Sequence, residues 1–327
     1  MGATALSSLT YETALRQVWR ETTSSNQVTS GWINELCMST TTNQPQGETY
    51  GLLQAIGGFQ KWQGPVTADS LVTWNKSVKP DSYHNSVHVP RLEWTFDHFN
   101  VLRPQVQEMA IEADNFRFKL VTDRINNGHS ETGIDDANFF STTHSWNGGT
   151  NQSNLVSTNL NSLPAAVRGA LTVPSAEEAG RLMMLGARTI VAFKNTRNTS
   201  QIIPTARFIV MVPISLVEPF AEAIGQTTYS YGVGNPIATL SRANLNFTFS
   251  VIANPLLNFT DSIAMFRVDA PLKPFILQEL SPLSLEVFAE GTEYYKLNNQ
   301  ALVSARWEGA TANWMWLNAL KLTMTRS

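Results

Sequence analysis

Asp97 to Gly128 reads DHFNVLRPQVQEMAIEADNFRFKLVTDRINNG, and the rest of the chain is organised around it. Leu102, Val106, Met109, Ala113, Phe116 and Leu120 recur at alternating gaps of four and three, which puts them on one stripe of an α-helix. Pro104 stands near the start, where a missing N–H costs little, and Asn126-Asn127-Gly128 reads as a left-handed C-terminal cap. Glu108, Glu112 and Asp114 lie towards the N-terminal half and Lys119 and Arg124 in the last turns, as the helix dipole favours. About twenty-five helical residues would reach about 38 Å at ~1.5 Å per residue, which suits a strut. Around this strut the chain reads as β-rich and loop-rich.

The 327 residues exceed the ~250–300 at which one core usually stops growing, so two lobes or more are expected. Net charge is −3 and only 15% of residues are charged, against roughly 25% for an ordinary soluble domain. Asn, Thr and Ser fill the gap, with an unusual load of Trp and Phe. Such a surface suits a chain largely covered by neighbours; composition alone fits a neutral, secreted β-protein equally well. There is no basic stripe of the kind that binds nucleic acid. Met1 to Leu6 lacks the basic and apolar regions of a signal peptide, and Leu6 stands where a myristoylation signal needs Ser or Thr. No apolar run approaches a membrane span. A single cysteine, Cys37, excludes an internal disulfide and fits a reducing compartment.

Residues 1–48 read as an arm with one amphipathic helix (Leu9, Ala14, Leu15, Val18, Trp19) and little core of its own. Residues 49–96 read as a long β-excursion that turns at Gly64-Pro65 and returns through Ser86 to Trp94; its Trp62, Trp74 and Trp94 lack a partner inside the segment. Residues 97–163 hold the strut and a polar stretch with one firm island, Asn138-Phe139-Phe140. Residues 164–265 read as an α/β lobe. Ser175 to Glu178 and Ser215 to Glu218 are capping-box patterns, Phe208 to Val212 is a buried strand, and Leu245 to Val251 alternates as a half-buried one. A glycine-rich loop fills 225–236. Residues 266–327 return to β, with Leu285, Val287 and Ala289 alternating and Trp314, Trp316, Leu320, Leu322 and Met324 on one face, in strands placed beneath the strut.

Nothing here marks an enzyme. His84 and His88 have helical ligand spacing, but on an extended segment they lie roughly 13 Å apart at ~3.3 Å per residue, too far for one metal. His98, His129 and His144 are solitary and read as hydrogen-bonded structural residues. Asp135-Asp136 reads as a solvated pair in a turn, and Glu177-Glu178 belongs to a helix start. Gly232-Val233-Gly234 lacks the third glycine of a dinucleotide loop, and no nucleophile-elbow, phosphate-loop or zinc-protease pattern occurs. No catalytic, cofactor-binding or metal-ligating residue is therefore assigned, and no cofactor. Lys61, Lys76 and Lys79 could in principle form an isopeptide bond with Asn298, Asn299 or Asn313 of a neighbouring chain; no base for that step is evident, and solvated lysines are the simpler account.

The order of arm, long hairpin, strut, α/β lobe and terminal strands resembles the HK97-type phage capsid fold, of α+β class. Particular residues resemble the major head subunit of Mu-like phages: Thr49-Tyr50-Gly51 with Lys61-Trp62 and Gly64, Gln107-Glu108-Met109, Asn138-Phe139-Phe140 followed by His144, and above all Pro271-Leu272-Lys273-Pro274-Phe275-Ile276-Leu277-Gln278-Glu279. Ala305-Arg306 and Trp314-Met315-Trp316 also fit. The resemblance runs from about residue 45 onward.

The resemblance implies a structural major capsid protein, not an enzyme, that self-assembles as hexamers and pentamers into the icosahedral head around the double-stranded DNA of a tailed phage. It implies an N-terminal arm (1–48), an E-loop (49–96) lying on a neighbour, a P-domain with the spine helix (97–163) completed by the terminal strands (266–327), and an A-domain (164–265). The loop from Gln226 to Pro236 would face the capsomer axis. Contacts between subunits are then expected at Trp19, Lys61, Trp62, Trp74, Lys79, Tyr231, Gly232 and Gly234. With Met1 at the start, a separate scaffold, maturation protease and portal are expected. So are DNA held without sequence specificity, no membrane, and a place in the virion after assembly in the host cytoplasm. An encapsulin-type compartment shares the fold and would need a cargo-peptide pocket. From another class, a secreted monomeric enzyme or glycan-binding β-protein would need a compact monomer, near 20 Å in radius of gyration by the ~2.2·N^0.38 rule.

Overall fold

The computed structural model describes residues 8–26, 31–55, 72–96, 102–162, 168–169, 173–201, 203, 205–226, 228, 234–235, 237 and 246–326. In chain order these form α1 (Ser8–Asn26), α2 (Gly31–Leu36), β1 (Cys37–Thr41), β2 (Glu48–Leu53), β3 (Thr73–Val78), β4 (Asp81–Pro90), α3 (Arg91–Phe96), α4 (Leu102–Asn126) and β5 (Leu155–Asn159). They continue with α5 (Ala176–Ala192), β6 (Thr205–Val212), α6 (Val217–Gly225), β7 (Asn246–Ala253), β8 (Ser262–Arg267), β9 (Phe275–Phe288), α7 (Glu293–Asn298), β10 (Gln300–Asn313) and β11 (Ala319–Thr325).

Two sheets carry the molecule. The first has the order β1-β9-β10-β4 and the second β5-β11-β8-β6-β7, while β2 and β3 form a separate antiparallel pair. In the first sheet β9 and β10 run antiparallel across α7, and β1 lies parallel to β9 with Cys37 opposite Phe275. The β9–β10 register shifts between Arg306 and Glu308. Pro282, which has no N–H to donate, sits on β9 at that shift. In the second sheet β6 is flanked by β8 and β7 and reads as an almost unbroken apolar run because both its faces are covered. Residues 314–318 turn the chain from β10 into β11 and so join the sheets; Trp314, Met315, Trp316 and Leu317 are all buried there. The terminal strand β11 thus pairs with β8 and β5 in the second sheet, and β10 alone of the last two strands lies under the strut.

The strut is α4, twenty-five residues long. Its buried residues are not one stripe. Leu102, Val106, Met109 and Ala110 face a cluster built with Leu15, Val18 and Trp19 of α1, Trp94 of α3 and the outer halves of β9 and β10. Val121 and Ile125, together with Thr122, are buried in the larger core instead. Ala113, Phe116 and Leu120, on the expected stripe, are half-buried between these regions. The helix bridges two cores, and each core takes a different face. At its end Gly128 is not left-handed. It is needed because the Phe140 ring lies against it: a Cβ there would come within 2.6 Å of the ring.

The N-terminal segment has a fuller inside than its local pattern implies. α1 packs along α4, α2 buries Trp32, Ile33 and Leu36 in the main core, and β1 extends the first sheet. The partners are distant in sequence, so the local pattern does not reveal them. Two further local readings differ. Leu92 to Trp94 is helical, in α3, rather than returning strand. Ser215 caps nothing: Ile214–Leu216 form a 3-10 turn that runs into α6, whose first turn has no side-chain cap. The capping box at Ser175 forms as expected, with Ser175 and Glu178 bonded reciprocally.

Candidate assembly surfaces

The stem β2–β3 is fastened to the body at its base. Tyr50 shares a 2.7 Å hydrogen bond with Thr40 and packs edge-on to Trp314. Trp74 packs edge-on to Trp146 at 5.0 Å, and Trp146 stacks in turn on Trp316. Lys76 donates to the Thr132 carbonyl and hydroxyl, both at 2.8 Å. Partial burial lowers the pKa of this ammonium, a shift opposed by Asp136, Glu131 and Asp135. Beyond the stem, the backbone N–H of Ala55 donates to the Thr196 hydroxyl and its carbonyl accepts from Arg197.

The loop on which this stem rests is built around His144, which is fully buried. Its Nδ1 lies 2.7 Å from Asp135 Oδ2, and its Nε2 faces Asn154 Oδ1 at 3.1 Å and the Phe139 carbonyl at 3.3 Å. The ring also stacks on Trp316, with centroids 4.1 Å apart and planes 8° from parallel. Asp135 is therefore not a solvated turn residue: its carboxylate is 2% exposed because His144 and the loop close over it. Local sequence shows only a pair of aspartates; the partner that buries one lies nine residues on, in a polar stretch.

The expected contact residues fall in different places. Trp19 is buried inside this chain against α4. Trp74 is half-buried on Trp146, Lys79 is exposed just after β3, and Gly234 is exposed and bridges to Thr228. Lys61, Trp62, Tyr231 and Gly232 lie outside the described residues. Of the lysine–asparagine set, Lys76 is engaged as above, Asn313 is buried and Asn299 is the left-handed C-cap of α7.

His84 and His88 face Arg306 and Leu302 across an extended ladder. Burial pushes the Cys37 thiol pKa far up, away from reactivity. Among the described residues no group of three or more His, Cys, Asp or Glu could hold a metal ion, and no helix is long and apolar enough to cross a membrane. The described residues also line two open grooves. One of about 400 Å³ runs between α4 and the first sheet, past Tyr83, His84, Glu112, Phe116 and Trp307. The other, of about 570 Å³, lies between α2 and the β6–β7 pair.

Residues 10–169 match the family model of the Mu-like prophage major head subunit gpT. No curated protein matches the chain. Among solved structures, the chain is similar to the procapsid of bacteriophage JBD30, with 16% identity over 97% of this chain and 76% of that one and a TM-score of 0.51. It is similar to the capsid of cyanophage P-SCSP1u, with 11% identity over 90% of this chain and 88% of that one and a TM-score of 0.57. The capsid of the native GTA particle matches at 9% identity over 90% of this chain and 89% of that one, with a TM-score of 0.52. At such identities these likenesses show the fold. With the family match over residues 10–169, which hold the arm, stem and strut, they identify a major capsid protein of HK97-type fold that forms the head, its first half similar to the Mu-like major head subunit family.

Proposed function

We propose that the chain self-assembles, as hexamers and pentamers, into an icosahedral shell around the double-stranded DNA of a tailed phage, and that its role is structural rather than catalytic. In this reading 49–96 is the E-loop, rooted in its own subunit through β4 and reaching a neighbouring subunit beyond the stem, residues 97–163 and 266–327 are the P-domain, and 164–265 is the A-domain. Lys61, Trp62, Lys79, Tyr231, Gly232 and Gly234 are then the contact residues. Trp74 acts from the base of the stem, and Trp19 acts by fixing α1 to the strut. A separate scaffold, protease and portal would serve assembly in the host cytoplasm, and the DNA would be held without base recognition, consistent with the net charge of −3.

The observation that carries this reading is the fastened stem. Trp74, Tyr50 and Lys76 tie β2–β3 to Trp146, Trp314, Thr40 and Thr132, so load on the segment beyond the stem passes into the body. A shell under outward pressure from its contents needs such anchored straps, and many weak copies of one contact gain strength by multivalency. Electron microscopy of the purified protein tests it. Closed shells that protect DNA from nuclease are expected; monomers with no larger particle under any scaffold condition would end the proposal.

A further inference from the structure

The second sheet ends in a strand that is unusually open. β7 (Asn246–Ala253) is hydrogen-bonded to β6 on one side, and among the described residues nothing pairs with its other side. Its eight residues, NFTFSVIA, include no charge and no proline. The other sheet edges are blunted: β4 carries Asp81, two histidines and a terminal Pro90, while β1 and β5 are only five residues long. A long, uncharged edge is a template for another strand, and proteins that leave one open do so at the risk of uncontrolled pairing. Thr248 and Ser250 are exposed while Phe247, Phe249 and Val251 are half-buried, so the side chains of the edge strand alternate between solvent and sheet.

A second feature adjoins this edge. The groove of about 570 Å³ between α2 and β6–β7 is lined by Trp32, Phe208, Ile209, Phe249, Ile252 and Val268. Its one ion pair, Arg207–Glu35 at 2.5 Å, is satisfied within the chain. The site offers backbone hydrogen bonds and apolar surface but no unpaired charge, so it fits an uncharged extended segment.

We propose that β7 is an assembly edge: an extended strand of a second copy of this chain adds to it, continuing the second sheet from subunit to subunit and setting side chains into the groove beside α2. The occupant is a second copy because every subunit of a head has one beside it, and because a chain of which only 15% is charged can supply an extended segment without setting a charge into the groove. The contact joins unlike surfaces, as a ring of subunits requires. Main-chain pairing supplies the affinity, and alternate side chains in the groove supply register.

This inference rests on the chain forming shells, and hydrogen exchange with mass spectrometry separates the two claims. Wild-type shells and unassembled subunits from the same preparation are compared over the fragment containing 246–253. Pairing predicts that exchange slows about tenfold or more in the shell. It also predicts that Thr248→Lys with Ser250→Lys keeps the circular dichroism and melting of the unassembled subunit but yields few or no shells. Shells with unchanged exchange in this fragment overturn the pairing and leave the capsid assignment intact. So do normal shells from the double-lysine variant. Absence of wild-type shells overturns the assembly reading, and the pairing falls with it.

Discussion

Glu178 ties three separate segments together. Its buried carboxylate accepts from the backbone N–H of Ser175 at 2.9 Å and of Gly169 at 3.0 Å, and from Arg326 at 2.8 Å on both oxygens. Removing one partner of a buried pair typically costs about 3–5 kcal/mol, because the other charge is left desolvated. Glu178→Gln should therefore destabilise the subunit by roughly 3 kcal/mol in urea titration, and Arg326→Ala should add little on top, since both act on one pair. Asp269 gives a pH signature. Partial burial raises its pKa, but Arg267 and the backbone N–H of Arg207 outweigh this and hold it below the usual carboxylate value. A carboxyl depressed in the folded state stabilises above its unfolded pKa, about 3.9, and loses that contribution as pH falls through the folded value. Asp269→Asn should flatten the acid limb of the stability curve below about pH 4 and lower stability at pH 7. An unchanged acid limb would show that Asp269 makes no such contribution. Glu178 was legible in the sequence because a capping box is local. Asp135 was not, because the ring that buries it is assembled from His144 and the distant Trp316.

At the level of elements, α5 sits so close to the second sheet that Gly186 has no room for a side chain: a Cβ would lie 2.5 Å from Met265 Sδ and 3.0 Å from Leu322 Cδ1. Gly186→Val should cost about 1–3 kcal/mol by overpacking, seen as a lowered melting temperature without loss of helix content. The stem makes a second case. Deleting 64–80 would remove β3 and with it the Trp74–Trp146 contact, so it would damage the body as well as any neighbour contact. Trp62→Ala is the cleaner variant; it should leave subunit melting within about 0.5 kcal/mol of wild type and reduce shell yield severalfold. Elements with a complete local signal were readable: α4 from its spacing, α5 from its cap, β7 from its alternation. Elements decided by distant partners were not. Thr122 is polar and fell outside the stripe, yet it is fully buried because Asn254 bonds its hydroxyl at 2.8 Å. β1 lies in the stretch that reads as an arm with little core, and only the parallel ladder to Phe275–Glu279 makes it a strand.

At the scale of the whole molecule, two sheets meet at the Trp314–Asn318 corner, α4 spans the cores on either side, and the stem is pinned where they join. The order of parts was readable from the sequence, because strut, lobe and terminal strands each carry their own periodicity. The closure of the second sheet by β5 and β11 was not, since strands separated by more than a hundred residues give no local sign of pairing. The described part of the arm is better embedded in its own subunit than its composition indicated, so the proposed assembly assigns the contacts between subunits to the E-loop, the 226–236 loop and the β7 edge instead. The central claim is that this subunit's working state is a closed assembly of its own copies. Small-angle X-ray scattering from the purified native protein tests it most directly: the account predicts the oscillating profile of a hollow, closed particle. A smooth profile from a single compact species with a radius of gyration near 20 Å, the value for a lone chain of this length, would contradict it.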